Sequence, residues 1–253
     1  MDFTLFKKDL DELGIFLTDL QFQQFQKYYE LLVEWNSFMN LTGITEWDEV
    51  CKKHFIDSLS IVKAFDISKV ENVIDIGTGA GFPGLPLKIA FPHLNVTLLD
   101  SLNKRIDFLN CVIEQLSLEN VIAIHGRAED YIKETNQREY YDLCVSRAVS
   151  SLNVLSEYCV PYVKVDGYFI PYKSEKVYDE LDSSANAFQT LGCKTQDIVE
   201  MNLPHSDIFR TFLIIKKNSS TPGKYPRKAG IPIKKPLKIV YIWIMFHVKH
   251  YPF

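Results

Sequence analysis

A cluster of glycines directly follows an apolar stretch and constrains the fold of this chain more than any other feature. Residues 73–76 have the pattern of a buried strand, and after it come Gly77, Gly79, Gly81 and Gly84. Glycine is needed where a chain turns sharply off a strand and where a Cβ atom would block the approach of backbone to a ligand. The helix that follows such a turn points its free N–H groups at the same place. We therefore predict that this turn binds an adenosine-type cofactor.

An acidic residue stands at the matching position on the next predicted strand. Asp100 ends the apolar run 96–99, and it lies 23 positions after Gly77. An acid at about this spacing reaches the two ribose hydroxyls of a bound nucleoside. The alternative for the glycine cluster alone is a plain strand-to-helix turn, and Asp100 favours the cofactor site over it.

Two classes of cofactor fit this pattern. Read from Gly79, the letters match the G-x-G-x-x-G fingerprint of dinucleotide-binding proteins, which keeps a nicotinamide cofactor open. That fingerprint starts at the last residue of its strand, however, and here the strand is predicted to end earlier, at Ile76. An acid inside the strand end, Asp75, fits S-adenosylmethionine sites better than nicotinamide sites.

From Glu71 onward, predicted strands and helices alternate, as in a parallel sheet covered on both faces. Only the loop 202–208 separates the last two strands, so they are predicted to pair antiparallel. A sheet closed in this way is typical of Rossmann-like class I methyltransferases that use S-adenosylmethionine. We predict an α/β fold with a seven-stranded, mostly parallel sheet, an antiparallel final strand and N-terminal helices. The predicted strands lie near 72–76, 95–99, 121–125, 141–146, 168–172, 194–201 and 210–216.

The first 65 residues have helical patterns. Thr18 and Gln21 form a predicted capping box ahead of an apolar face, and Thr45 is predicted to start a further helix. His54 and Asp57 fall near one face of that second helix. We interpret His54 as a structural hydrogen-bonding residue rather than part of a hydrolytic triad, with a place at the substrate entrance as the alternative.

Charge is distributed unevenly along the chain. Residues 208–253 carry ten Lys or Arg and no acid, whereas the first 207 residues carry the other 18 bases and all 32 acids. Such a split indicates an acidic body with a basic edge that binds a polyanion. A solvated basic tail without a partner is the alternative.

Composition places the chain among ordinary globular proteins, with 47% hydrophobic and 24% charged residues. No basic head followed by an apolar stretch stands at the N-terminus, so we predict a cytoplasmic protein without a membrane partner. The five cysteines form no C-x-x-C pair, which predicts reduced thiols and no metal site.

Four motifs together carry a resemblance to a known family. They are residues 75–84, 99–105, 146–148 and 226–230. In their order along the chain they resemble the bacterial small-subunit ribosomal RNA methyltransferase G family, also called glucose-inhibited division protein B. The resemblance covers roughly residues 1–237. It implies transfer of a methyl group from S-adenosylmethionine to N7 of a guanosine in the decoding-region loop of 16S rRNA.

The resemblance also assigns the cofactor turn residue by residue. It implies that Gly77, Gly79 and Phe82 belong to the cofactor loop and that Asp100 holds the ribose.

Three further residues are assigned by the resemblance. It implies that the Ala128 N–H donates to the adenine ring, that Glu129 fixes the adjoining loop, and that Arg147 belongs to the cofactor pocket. The alternatives are a solvated loop glutamate for Glu129 and a surface arginine paired with an acid for Arg147.

The implied chemistry asks for no general base. Guanine N7 is a lone-pair acceptor on the exposed major-groove edge, so it attacks a sulfonium methyl without first losing a proton. The protein must align the reacting atoms and tolerate positive charge. Asp75 and the carbonyl groups near Ser146 are candidates to face that charge, with a turn-capping role as the alternative for Asp75.

Lysine and arginine side chains would hold the RNA through its phosphates. Prolines are predicted to keep the basic segment extended, so that it either tracks a nucleic-acid backbone or lies over the sheet. The expected partner is 16S rRNA or the small ribosomal subunit, bound by a monomer. The RNA-binding candidates are Arg210, Lys224, Arg227, Lys228, Lys234 and Lys235.

The predicted organisation has four parts. Residues 1–65 are a helical extension, 66–218 the methyltransferase domain, 219–237 a basic proline-containing tail and 238–253 an apolar extension outside the family pattern. The extension is open to interpretation as an edge strand, a membrane-surface contact or a read-through product. Competing functions are a NAD-dependent oxidoreductase, a non-catalytic ribosome assembly factor and a small-molecule methyltransferase.

Overall fold

A seven-stranded sheet forms the centre of the protein. The computed structural model describes residues 1–175 and 177–238. The strand order is β3-β2-β1-β4-β5-β7-β6. Strands β1 to β5 are parallel, and β7 lies antiparallel between β5 and β6. This confirms the predicted mostly parallel sheet with an antiparallel final strand. The strands are β1 Asn72–Ile76, β2 Asn95–Asp100, β3 Val121–His125, β4 Tyr141–Arg147, β5 Val163–Lys173, β6 Cys193–Asn202 and β7 Phe209–Lys217.

Helices cover both faces of the sheet. Those of the N-terminal region are α1 Thr4–Leu13, α2 Asp19–Met39, α3 Trp47–Val50, a π-helical turn Cys51–Ile56, α4 Asp57–Leu59 and the 3₁₀ turns Ser60–Lys63 and Ile67–Lys69. The others are α5 Gly84–Ala90, α6 Asn103–Gln115, α7 Ala128–Glu134, α8 Leu152–Cys159, a 3₁₀ turn Val160–Tyr162, α9 Val177–Leu191 and α10 Ile231–Lys234. In the part of the chain that the structure describes, no helix has the length and apolar character needed to cross a membrane.

Alternate residues of the central strands enter two separate cores. Val73 of β1 and its partner Leu143 of β4 pack in the core formed with the N-terminal helices. The next pair, Ile74 and Cys144, packs in the core formed with α8 and α9. Because both faces of β1 are buried, Val73, Ile74 and Ile76 are all apolar although they point to opposite faces.

Two helix starts in the N-terminal region were predicted from capping residues. The capping box is confirmed, since Thr18 caps α2 reciprocally with Gln21. The predicted cap at Thr45 is wrong by one residue, because Glu46 is the N-cap of α3, which begins at Trp47.

The C-terminal basic segment is folded against the domain. The Arg138 guanidinium donates to the carbonyl groups of Thr221 and Tyr225, each at 2.7 Å, and Pro232 is buried in the short helix α10. The segment therefore lies against the domain, which is one of the two predicted alternatives, and the short helix α10 interrupts the predicted extended conformation. The apolar extension predicted from residue 238 lies, from residue 239 on, outside the described residues.

Candidate active site

A cavity of 320 Å³ opens at the carboxyl edge of the sheet, where β1 to β4 end. The strand order reverses between β1 and β4, and open α/β sheets bind ligands in the crevice at such a point. We call it the cofactor cavity. Its lining residues are Ile76, Gly77, Leu99, Asp100, Ser101, Arg105, Gly126, Arg127, Ala128, Glu129, Ala148, Val149 and Tyr158.

The glycine turn brings its backbone against this cavity. Gly77 has φ +72°, and a Cβ atom there would lie 2.5 Å from Cγ2 of Val149. Gly79 has φ +63°, and a Cβ atom there would have no neighbour within 4 Å. Both need the left-handed conformation that glycine adopts without strain. The turn is held from behind by Tyr28 of α2, whose hydroxyl donates to the Ala80 carbonyl at 2.5 Å.

Asp100 forms part of the cavity wall beside the glycine turn. Its side chain is 3% exposed, and Oδ2 accepts hydrogen bonds from the Gly79 N–H at 2.9 Å and from Arg105 at 3.0 Å. Oδ1 accepts from the Leu102 N–H at 3.0 Å. Arg105 also lies 3.4 Å from Oδ1, and a carboxylate has about four acceptor positions, so this long contact occupies the one position that a ribose hydroxyl could take. The spacing argument placed this acid beside the glycine turn, the contact with Arg105 was not anticipated, and the contact with the ribose stays a prediction.

The residues assigned to the adenine lie after β3. Ala128 and Glu129 are both buried and form the first turn of α7, so the predicted loop is a helix. First-turn N–H groups have no acceptor within their own helix, which leaves the Ala128 N–H available to a ligand. The Tyr162 hydroxyl fixes this turn by donating to the Ala128 carbonyl at 2.7 Å. Because Glu129 is buried, the alternative of a solvated loop glutamate is wrong.

Tyr158 of α8 also lines the cofactor cavity, and sequence reasoning missed it. Burial, followed by the charge of Glu129, raises the pKa of Tyr158 to about 12, so its hydroxyl stays protonated. Its only sequence signal was an aromatic residue in an apolar helix, which more often indicates core.

Asp75 caps the glycine turn from inside the sheet. Its Oδ2 atom accepts hydrogen bonds from the Thr78 hydroxyl at 2.7 Å and the Gly84 N–H at 2.8 Å. Oδ1 is buried without a hydrogen-bond partner among the described residues. Burial raises the pKa of Asp75 to about 6, although the two hydrogen bonds oppose that rise. The turn-capping alternative is therefore the one that the geometry favours.

Asp75→Asn is expected to change how stability depends on pH. The Asp75 pKa is raised from 3.8 to about 6 by folding, so the stability it contributes is present below about pH 4 and is lost as the pH rises through about 6. The difference in unfolding free energy, variant minus wild type, should therefore rise by on the order of 3 kcal/mol between pH 4 and pH 7. Urea unfolding across this range measures the difference, with Asp107→Asn on the exposed side of α6 as control. A difference that does not vary with pH would contradict the buried titration.

A buried ion cluster links the N-terminal helices to β4 and β7. Asp57 is 1% exposed. Its Oδ2 lies 2.7 Å from Nη1 of Arg147, and its Oδ1 lies 2.6 Å from Nε of Arg210. Arg147 is therefore paired with an acid, as its alternative had it, but it is not a surface arginine, since that acid is buried and its own side chain is 15% exposed.

The Arg147 guanidinium lies 5.1 Å from the ring centre of Phe82. That ring is itself stacked on His54, with centres 4.6 Å apart, and on Tyr28. Phe82 thus supports the glycine turn from within the protein and is not among the residues that line the cofactor cavity. Its assignment to the cofactor site, like that of Arg147, stays a prediction.

His54 is held in a structural hydrogen bond. Its Nε2 atom lies 2.9 Å from the Thr42 hydroxyl. Burial, followed by the charge of Arg147, lowers the pKa of His54 to about 4, so the ring is neutral at pH 7. These contacts agree with the structural interpretation.

A second cavity of 320 Å³ adjoins the first along the same edge, and we call it the adjoining cavity. The two share Ala148 and Val149 of the loop after β4. Arg147 lines only this second one. Its lining residues are Arg147, Ala148, Val149, Ser150, Leu155, Tyr172, Lys173, Ser174, Glu180 and Arg210.

The predicted RNA-binding residues fall into two groups. Lys224, Lys228, Lys234 and Lys235 are exposed. Arg227 instead donates from Nε and Nη2 to the fully buried Glu157 at 2.8 and 2.6 Å, and Arg210 belongs to the Asp57 cluster. The guanidinium groups of Arg210 and Arg227 are thus both bound by carboxylates, which no local sequence pattern predicted. Their geometry favours a role in holding the fold together over phosphate binding.

The sheet order, the glycine turn at β1, the acid ending β2 and the buried first turn after β3 define a class I S-adenosylmethionine-dependent methyltransferase. The family model for rRNA small subunit methyltransferase G, GidB, matches residues 21–209. The chain belongs to this family, as its motifs predicted. The nicotinamide alternative is wrong, because the cofactor of this class is S-adenosylmethionine.

Close relatives extend over most of the chain. The ribosomal RNA small subunit methyltransferase G of Lachnoclostridium phytofermentans is 53% identical over 236 residues, which cover 93% of this chain and 98% of that protein. The protein of the same name from Alkaliphilus metalliredigens is 52% identical, covering 92% and 98%. A solved structure, a mutant of MtNAS in complex with S-adenosylmethionine, has a TM-score of 0.51 at 17% identity and covers 79% of this chain and 72% of that one. This last likeness shows the fold.

Proposed function

We propose that this protein transfers a methyl group from S-adenosylmethionine to N7 of a guanosine in the decoding-region loop of 16S rRNA. The observation that carries the proposal is the pair of cavities that share Ala148 and Val149, one suited to a nucleoside cofactor and the other lined by cationic side chains. Family membership supports the substrate class, since the relatives are named as methyltransferases of small-subunit ribosomal RNA.

The residues of the cofactor cavity fit the cofactor. The open space at Gly79 leaves room for a ligand against the backbone, Asp100 would accept from the ribose, and the Ala128 N–H would donate to the adenine. When bound, S-adenosylmethionine supplies a methyl group on a positively charged sulfur. The new bond joins that carbon to N7 while the carbon–sulfur bond breaks, and sulfur keeps the electron pair.

The protein contributes alignment rather than proton transfer. N7 carries a free lone pair and loses no proton, so no base is required. Ser146 at the end of β4 fixes the adjoining loop by donating to the Ile76 carbonyl at 2.7 Å. This hydrogen bond fixes the end of β4 to the end of β1. The two cavities are thereby held in a fixed relative position, so that the methyl donor and the guanine stay aligned.

Labelling the small subunit tests the proposal directly. Purified protein, labelled S-adenosylmethionine and small ribosomal subunits should yield one labelled nucleoside, 7-methylguanosine, in the decoding-region loop. Label at another base or another atom would reject the proposed specificity. If small subunits stay unlabelled while deproteinised rRNA is labelled, the substrate is the free rRNA and the proposed chemistry still holds.

Removing the four exposed lysines is expected to weaken RNA binding uniformly. Replacing Lys224, Lys228, Lys234 and Lys235 with glutamine should lower affinity and reduce the slope of log K against log salt by roughly three to four. Filter binding at several salt concentrations measures this slope. The control replaces four lysines outside the basic segment, namely Lys69, Lys164, Lys194 and Lys216. Equal slopes for both quadruple variants would show that the basic segment does not contact phosphates.

A further inference from the structure

The adjoining cavity contains one carboxylate that the transfer reaction does not yet explain. Its cations Arg147 and Arg210 are both engaged by Asp57. Glu180, in the first turn of α9, lines the cavity together with Lys173 at the end of β5. A carboxylate is an unfavourable neighbour for a phosphate, so this cavity does not suit the RNA backbone at that end.

Glu180 is held in a defined position. Its Oε2 atom accepts hydrogen bonds from Nζ of Lys173 at 2.9 Å and from the Leu152 N–H. Lys173 also donates to the Ser150 carbonyl at 3.0 Å, which ties the pair to the loop after β4. Within residues 1–175 and 177–238, Oε1 of Glu180 accepts no hydrogen bond. The cavity therefore presents one acceptor oxygen beside an ammonium group.

This pair is complementary to one edge of guanine. The N1–H and the 2-amino group are adjacent donors that the two lone pairs of the free Oε1 atom can accept, and O6 next to them is an acceptor for an ammonium group. Adenine has an acceptor at N1 and an amino group where guanine has O6, so the same pair opposes it. We propose that Glu180, with Lys173, reads the Watson–Crick edge of the target guanine in this cavity. The inference rests on the proposed function.

The arrangement also agrees with attack by N7. In the sheet, β5 lies next to β4 on the side away from the cofactor cavity, and Lys173 stands at the end of β5. Ala148 and Val149 form the wall that the two cavities share. A guanine held by its Watson–Crick edge at Glu180 directs its other ring, and hence N7, away from that carboxylate. The purine gains one positive charge and loses no proton when N7 is methylated. The carboxylate stabilises this charge more in the transition state than in the substrate, so it should affect kcat as well as KM.

The test combines a protein variant with a substrate variant. Small subunits are reconstituted with 16S rRNA that carries either guanosine or inosine, which lacks the 2-amino group, at the methylated position. Wild type should lose about 10- to 100-fold in kcat/KM on inosine, the range for one hydrogen bond to a charged group. Glu180→Gln should lose a similar factor on guanosine and show little further loss on inosine. Asp179→Asn, an exposed acid in the same helical turn, is the matched control and should behave like wild type.

Each variant is compared with wild type by its ratio of kcat/KM on guanosine to kcat/KM on inosine. Any difference in intrinsic reactivity between the two bases cancels in this comparison. The thermal midpoint and the Kd for S-adenosylmethionine are measured for each variant, so that misfolding is recognised. An inosine penalty of the same size in Glu180→Gln and wild type would overturn the inference. If the variant fails to fold, equal rates of wild type on guanosine and inosine would overturn it as well. Methylation at an atom other than N7 rejects the proposed function instead, and nucleoside mapping of the wild-type product distinguishes that outcome.

Discussion

Asp100→Ala is expected to raise the Kd for S-adenosylmethionine by on the order of 100-fold or more. The variant removes the carboxylate that we assign to the ribose, and each hydrogen bond to a charged group contributes about 1.5 to 3 kcal/mol. It also removes the 2.9 Å bond by which Asp100 fixes the Gly79 N–H, so the glycine turn loses an anchor. Methylation at limiting cofactor should fall by a similar factor.

Equilibrium dialysis with labelled cofactor measures this effect directly. Asp107→Asn, an exposed acid two residues after Arg105 in α6, is the control and should bind the cofactor like wild type. The thermal midpoint without cofactor shows whether the glycine turn still forms. A folded Asp100→Ala protein with unchanged Kd would contradict the assignment of this carboxylate to the ribose.

Asp57→Ala is expected to have the largest effect on stability. The carboxylate neutralises two arginines at once, and removing one member of a buried ion cluster costs about 3 to 5 kcal/mol because the other charges stay desolvated. Arg147 and Arg210 are 15% and 23% exposed, which places the cost at the lower end of that range. Without Asp57, both arginines lose the contact that positions them at the adjoining cavity. Activity should therefore fall as well, by on the order of 100-fold.

Urea unfolding at pH 7 measures the first effect, and methylation of small subunits measures the second. Glu49→Ala, which breaks the exposed pair with Lys53, is the control and should change the unfolding free energy by less than about 1 kcal/mol. Because Asp57 acts through the arginines, the fall in activity should persist at saturating cofactor, with the Kd for S-adenosylmethionine nearly unchanged. Wild-type stability in Asp57→Ala would show that the cluster contributes nothing to the fold.

The strands and the first half of the cofactor site followed from local patterns. Alternation and burial decide where a strand runs, and β1 and β3 have the predicted bounds of 72–76 and 121–125. Parallel pairing of β1 with β2 places Leu99 next to Ile76, so Asp100 necessarily lies beside the glycine turn. Spacing along the chain was sufficient here because the two strands are neighbours in sequence and in the sheet.

Contacts between distant segments had no such local signal. Asp57 lies 90 positions from Arg147 and 153 positions from Arg210, and the Glu157 that engages Arg227 lies 70 positions away. From sequence, Arg147 was assigned to the cofactor pocket and Arg210 and Arg227 to RNA, since nothing in their neighbourhood states which acid the fold will bring to them. Tyr158 and Glu180 entered the two cavities for the same reason, through the packing of α8 and α9 over the sheet.

The amino-acid sequence by itself thus determined the family, the sheet and the glycine turn with its acid. Backbone conformation and strand pairing depend on short-range periodicity and on where glycine is required, and both are visible in the chain. Only the tertiary structure decided which arginines are anchored by carboxylates, which lysines face solvent and where the adjoining cavity lies. Ion pairing and cavity shape depend on distances between segments that the chain brings together only after it folds.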